Sequence, residues 1–168
     1  EDQIGTGFVG SAGEKLWQCA SAAGISRAQT YVTNVVNHKP DGNNIASLID
    51  LGNKKKRFVN DNETASSNAK IKNFFRGWTP SATGMAFLNE ILELPSFIIK
   101  PEGKEVLRRN LYELYEELEA STANVIVTVG AVPLFILAGK TSVMKWRGSI
   151  LTSRLLEGQR MCECLRLH

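Results

Sequence analysis

Asn124-Val125-Ile126-Val127-Thr128-Val129-Gly130-Ala131-Val132-Pro133-Leu134-Phe135-Ile136-Leu137-Ala138-Gly139 is the stretch that decides the fold. Val125 to Val129 is rich in β-branched side chains, which suit a pleated and well-covered surface, and the residues after Gly130 have the make-up of an apolar helix. The apolar run from Ala123 to Gly139 lies at the short edge of what spans a bilayer, and Gly130 and Pro133 interrupt its middle. A buried parallel strand, Asn124 to Val129, turning into a helix, Ala131 to Ala138, explains this pattern better than a membrane anchor.

Working outward, Glu102 to Ala120 is the clearest amphipathic helix. Leu107, Leu111, Leu114 and Leu118 are spaced four, three and four apart, and Pro101 precedes them at a permissible helix start. Gly84 to Leu94 also reads as helix, stopped by Pro95, while Arg147 to Thr152 reads as a short extended piece and Cys162 to Leu167 as a last strand. Upstream, residues 11 to 23 predict a helix with Leu16, Trp17, Ala20 and Ala23 inward and Gly24 ending it. Ser26 to Gln29 forms an S-x-x-Q box, and Thr30 to Val36 reads as a strand. From Asn37 to about Ser81 the chain is polar and turn-rich, with short helices expected near Asn44 to Leu51 and Ser67 to Phe75, since a structureless loop of that length is unusual. Strands alternating with helices imply an α/β fold, a short central parallel sheet covered on both faces as a three-layer α/β/α sandwich.

A glycine-rich segment, Gly5-Thr6-Gly7-Phe8-Val9-Gly10-Ser11-Ala12-Gly13-Glu14, opens the chain. Ser11 and Glu14 have capping-box spacing, so a nearly bare backbone is expected to run into a helix N-terminus. Such a loop lets a flat or anionic ligand approach main-chain amides, and Phe8 offers a ring for stacking; the plain alternative is a glycine turn with Phe8 in the core.

The chain has 168 residues, 43% hydrophobic and 22% charged, which suits one globular domain with a proper core. Its net charge of +3 permits nucleic-acid binding without requiring it. Three cysteines, Cys19, Cys162 and Cys164, form no regular framework, and no secretory leader is visible, so an intracellular, reduced protein is expected.

Two further blocks, Tyr31-Val32-Thr33-Asn34-Val35-Val36-Asn37-His38-Lys39-Pro40 and Val125 to Ala131, together with Arg147-Gly148 and His168, complete a pattern. In order and spacing the chain resembles the uracil-DNA glycosylase superfamily, most nearly its family 4 branch. That branch reads roughly E-D-x-x-G-x-P-F-V-G-x-A-G, Y-(I/V)-x-N-V-V-K-C-R-P, V-I-V-x-L-G-A, R-G and H-P-S, and Gly7 here stands in place of the first Pro. The resemblance covers nearly all of residues 1–168 as a single domain, apart from an insertion at about 41–101. It implies the three-layer fold with its first strand before Glu1.

The resemblance also implies a reaction: hydrolysis of the N-glycosidic bond of uracil in DNA, leaving an abasic site. Phe8 would stack on the flipped base, assisted by backbone of Gly5, Gly7 and Gly10. Asn34, carrying both a donor and an acceptor, would read the N3–H and O4 edge, and His168 would stabilise charge at O2. The plain alternatives are a core Phe8, an Asn34 that caps a turn and a terminal His168 without a role. The carboxylate motif G-E-(A/G)-P-G would lie before Glu1, and Glu1 matches a later position of it, so Glu1 is not assigned catalysis.

Family 4 members hold an iron-sulfur cluster on four cysteines, two of which would lie upstream. The other two positions fall at His38 and Asn110, and Cys162-Glu163-Cys164 has the wrong place and spacing, so no cofactor and no metal are expected. Lys54, Lys55, Lys56 and Arg57, with Arg147, are candidate phosphate contacts, though such a run is also a common solvated face. Uracil-containing DNA is thus the expected partner, with no membrane and with room for a protein partner through the insertion. The alternative function is a catalytically impaired glycosylase-like module that binds DNA or protein within a larger replication or repair chain.

Overall fold

The computed structural model describes residues 8, 10–37, 40, 44–52, 61–158 and 160–163. The stretch that opened the sequence reading is strand β1 (Val125–Thr128) followed by a helix over Ala131–Ala138, as expected. Gly130 takes the N-cap position with φ 102°, a backbone region closed to most side chains, so the strand turns sharply into the helix. Leu134, Phe135, Ile136, Leu137 and Ala138 are all buried, so this helix is wrapped by protein on every side.

Six α-helices lie among the described residues: α1 (Ser11–Ala22), α2 (Asp61–Gly77), α3 (Gly84–Leu92), α4 (Lys104–Glu119), α5 (Ala131–Ala138) and α6 (Val143–Trp146). The leucine stripe of α4 faces inward as its spacing requires, with Leu107, Leu111, Leu114 and Leu118 buried. Each contributes about 1.5–3 kcal/mol by leaving water. Pro101 begins a turn of 3₁₀ helix, Pro101–Gly103, that leads into α4.

Strands β2 (Ile150–Thr152) and β3 (Arg160–Glu163) join β1 in a sheet of order β1-β3-β2. β1 and β3 are parallel, pairing Val125 with Arg160 and Thr128 with Glu163; β2 and β3 are antiparallel, pairing Ile150 with Cys162. The described sheet is therefore mixed and not wholly parallel. The last strand begins two residues earlier than expected, and Cys164 to Leu167 lie outside the described residues.

Both faces of the sheet were expected to be covered. Instead β1 alternates: Ile126 is half-buried and Thr128 buried, whereas Val125 and Val127 are 54% and 45% exposed and Ile150 on β2 is 75% exposed. Period-two alternation is the signature of a sheet with one face on the core, and the described helices supply that one face.

Three other expectations change. Thr30 to Val36 forms no strand: Thr30 to Asn34 is extended without a ladder and Val35 to Asn37 bends. Ser11 does not cap α1, because Gly10 holds the N-cap position and accepts from the Glu14 amide at 2.9 Å, which leaves Ser11 already inside the helix. The inward face of α1 is weaker than its pattern suggested, since Leu16, Trp17 and Ala20 are half-buried, Ala23 is exposed and Gly13 alone is buried. The end of α1 is as read: Gly24, with φ 78°, and Ile25 donate to the Ser21 and Ala20 carbonyls and close the last turn. The Ser26–Gln29 capping box is also formed.

The described residues of the stretch that the resemblance sets apart as an insertion enter the core. Its helix α2 is longer than Ser67 to Phe75, and the piece near Asn44 to Leu51 is a single 3₁₀ turn, Ile45–Ser47. Leu48 and Asp50 are stitched to Lys100 and Ile98 by backbone hydrogen bonds of 2.9 and 2.8 Å around an Ile49–Ile99 bridge. Phe75 and Trp78 pack on Phe135 of α5 with centroids 5.3 and 5.5 Å apart, and Phe74 packs edge-on against Phe97 at 5.9 Å. Among the described residues no helix is long and apolar enough to cross a membrane.

Candidate functional site

Two parts of the motif pattern, the block that holds β1 and the Arg147-Gly148 turn, meet the sheet at one edge. Because β1 and β3 are parallel, both leave the sheet at Thr128 and Glu163, and antiparallel β2 enters there at Ile150, just after Arg147 and Gly148. Ligands of open α/β sheets bind outside strand carboxyl ends, which is this edge. Arg147 is exposed, and its amide donates to the Val143 carbonyl at 2.9 Å as α6 ends. Thr128, at the tip of β1, is 1% exposed, and its hydroxyl has no hydrogen-bond partner among the described residues. Its place before Gly130 was visible in the sequence, but its burial was not.

Phe8 is half-buried and has φ 59°, a left-handed conformation uncommon for a residue with a large side chain. Its backbone rests directly on the first turn of α1. A Cβ placed on Gly13 would stand 1.9 Å from the Phe8 carbonyl oxygen, so only glycine admits this approach. Gly13 therefore helps position Phe8, a role that sequence reasoning missed when it assigned the segment to a capping box.

Asn34 is exposed, at the end of the extended piece. What fixes that piece is helix α4. Glu117 accepts a very short hydrogen bond from the Tyr31 hydroxyl and a second, 3.0 Å, from the Thr33 hydroxyl. Two turns earlier, buried Asn110 accepts from the Asn37 amide at 2.8 Å and donates to the Val106 carbonyl at 2.7 Å. The hydrogen bond to Glu117, reinforced by its negative charge, holds the Tyr31 hydroxyl above the usual tyrosine range. No local signal announces these contacts, since Tyr31 and Glu117 are 86 positions apart.

The described residues form a surface groove of about 700 Å³ along Glu14, Trp17 and Ser21 of α1 and another of about 340 Å³ between Lys140, Thr152 and Arg154. Neither is lined by Phe8 or Asn34. Gly10 is the exposed N-cap of α1. Gly5, Gly7, His168 and the run Lys54 to Arg57 lie outside the described residues.

A profile of the uracil DNA glycosylase superfamily matches residues 1–160. The chain belongs to that superfamily. No solved structure matches it at a significant level. For a uracil DNA glycosylase superfamily chain, the Val125–Ala131 block and the Arg147-Gly148 turn thus share one edge of the sheet.

Proposed function

We propose that this chain is a uracil-DNA glycosylase of the family 4 type, hydrolysing the bond between uracil N1 and the sugar C1′ in DNA. Breaking that bond leaves a base anion and a cationic sugar; water adds to C1′ and the base takes a proton, giving uracil and an abasic site. In this reading the uracil is drawn out of the stack onto the Phe8 ring, with amides of the Gly5, Gly7 and Gly10 loop beside it. The Asn34 carboxamide donates to O4 and accepts from N3–H, and His168 donates toward O2 as charge grows there. Arg147 and the Lys54 to Arg57 run contact phosphates.

The observation that carries the reading is the superfamily match over residues 1–160. The left-handed backbone at Phe8 supports it, because strained backbone on a glycine-rich loop marks a side chain held for a task. We also propose that no iron-sulfur cluster is present. At one position where the resemblance puts a cluster cysteine, the Asn110 amide is engaged on both sides, by the Asn37 amide and the Val106 carbonyl.

The deciding experiment incubates the protein with an oligonucleotide bearing one uracil and then cleaves with alkali. The wild type should cut at the uracil, and Asn34→Ala should lose about a hundredfold or more in rate with the fold intact. Undiminished excision by Asn34→Ala would remove the base-reading role. Binding of the oligonucleotide without excision by the wild type would favour the non-catalytic module instead.

A further inference from the structure

We infer that Glu117 of α4 is a positioning residue, which together with Asn110 sets the register of the Asn34 segment and so the direction of the Asn34 carboxamide. The inference rests on the reading of Asn34 as the base-recognising group. Among the described residues the segment has no sheet ladder to fix it, and Tyr31, Thr33 and Asn37 each make a hydrogen bond to α4. Glu117 uses both carboxylate oxygens on it, one for the Tyr31 hydroxyl and one for the Thr33 hydroxyl. Asn110 takes the Asn37 amide.

The spacings match. Asn110 and Glu117 are two helical turns apart, so they share a face and are separated by about 10.5 Å along the axis. The stretch from Thr33 to Asn37 covers about 13 Å if fully extended, and the bend over Val35 to Asn37 shortens it toward that span. The segment thus lies antiparallel to α4, pinned near both ends.

The fork matters for orientation. In an extended chain alternate residues face opposite sides, so seating Tyr31 and Thr33 on Glu117 turns Val32 and Asn34 away from the helix. Asn34 is accordingly exposed. A slip of one residue would put Val32 and Asn34 against the carboxylate and turn the carboxamide inward. Two hydroxyls on one carboxylate reject that slip because valine offers no donor. A single hydrogen bond would leave the choice open to rotation about one point.

Glu117→Ala, Glu117→Gln and the double variant Tyr31→Phe with Thr33→Val are tested alone, and Glu117→Ala also in an Asn34→Ala background. Excision of uracil is resolved into kcat and KM, and amide hydrogen exchange is followed over residues 32–37. Glu117→Ala and the double variant should lower kcat about tenfold to a hundredfold with KM little changed, and should speed exchange across the segment. Glu117→Gln, whose carbonyl oxygen can accept from one hydroxyl while its NH2 donates to the oxygen of the other, should recover most of kcat. In the Asn34→Ala background Glu117→Ala should cost nothing more. An additive loss there, or exchange and kcat within twofold of wild type for both Glu117→Ala and the double variant, overturns the inference. Wild-type excision by Asn34→Ala sinks the base-reading role instead, while the exchange result still reports on the tether. If the wild type binds without cutting, the readout becomes its preference for uracil over thymine oligonucleotides, which Glu117→Ala should erase; an unchanged preference, or none in the wild type, also overturns the inference.

Discussion

Gly13→Ala separates the placement of Phe8 from the stability of the fold. An alanine Cβ would lie 1.9 Å from the Phe8 carbonyl oxygen and 2.2 Å from its carbonyl carbon, where ordinary contact begins at 3.4 Å. The loop backbone must therefore retreat by about 1.5 Å. Neighbouring backbone cannot swing aside as a flexible side chain would, so the displacement passes to Phe8. The stability terms point the other way. Alanine in a helix is favoured over glycine by up to about 1 kcal/mol, and release of the left-handed Phe8 backbone returns about 1–2 kcal/mol of strain. Helix α1 has little other packing to lose, since Gly13 is its single buried residue. The clash itself costs about 1–3 kcal/mol, which these terms offset, so the expected result is a melting temperature within a few degrees of wild type with uracil excision down about a hundredfold, the usual consequence of misplacing a binding group by an ångström or so. The assay is alkali cleavage of a uracil oligonucleotide beside a thermal melt. Excision at the wild-type rate by a folded Gly13→Ala protein would refute the claim that this close approach positions Phe8.

Other outcomes follow from the same contacts. Phe135→Ala, which removes a ring buried against Phe75 and Trp78, should cost about 3–5 kcal/mol in urea unfolding and destabilise the inserted residues with the rest. Asn110→Ala should cost about 1–3 kcal/mol by stranding the Asn37 amide. In an ultraviolet difference titration the Tyr31 signal, assigned by its loss in Tyr31→Phe, should appear above the ordinary tyrosine range and move down in Glu117→Gln. Because the folded pKa is raised, the stabilisation from this hydrogen bond is fully present below the ordinary tyrosine pKa and lost as pH rises through the folded value. The purified protein should be colourless with no stoichiometric iron, and a visible iron-sulfur absorption band would reject the proposed absence of a cluster.

Much of the secondary structure was legible because it depends on residues close in the chain. The leucine spacing of α4, the apolar α5 and the Ser26–Gln29 box each close their own hydrogen bonds within a few positions, and the β-branched run marks β1 by composition although its ladder partner, β3, is distant in the chain. The superfamily was legible for a related reason, since its motifs are short blocks in fixed order. The Ser11 capping box misled because local spacing cannot show which residue the chain presents at the cap, and the fold put Gly10 there so that Phe8 could lie on Gly13.

By itself, the sequence determined the main helices, β1 and the order of the motif blocks. Tertiary structure alone decided that Thr30 to Asn34 finds no strand partner, that β2 runs against β3, and that one sheet face carries exposed Val125, Val127 and Ile150. It also decided that the segment bearing Asn34 is held by Glu117 and Asn110. An extended segment saturates its polar groups only through distant partners, and which partner is within reach depends on how the whole chain packs.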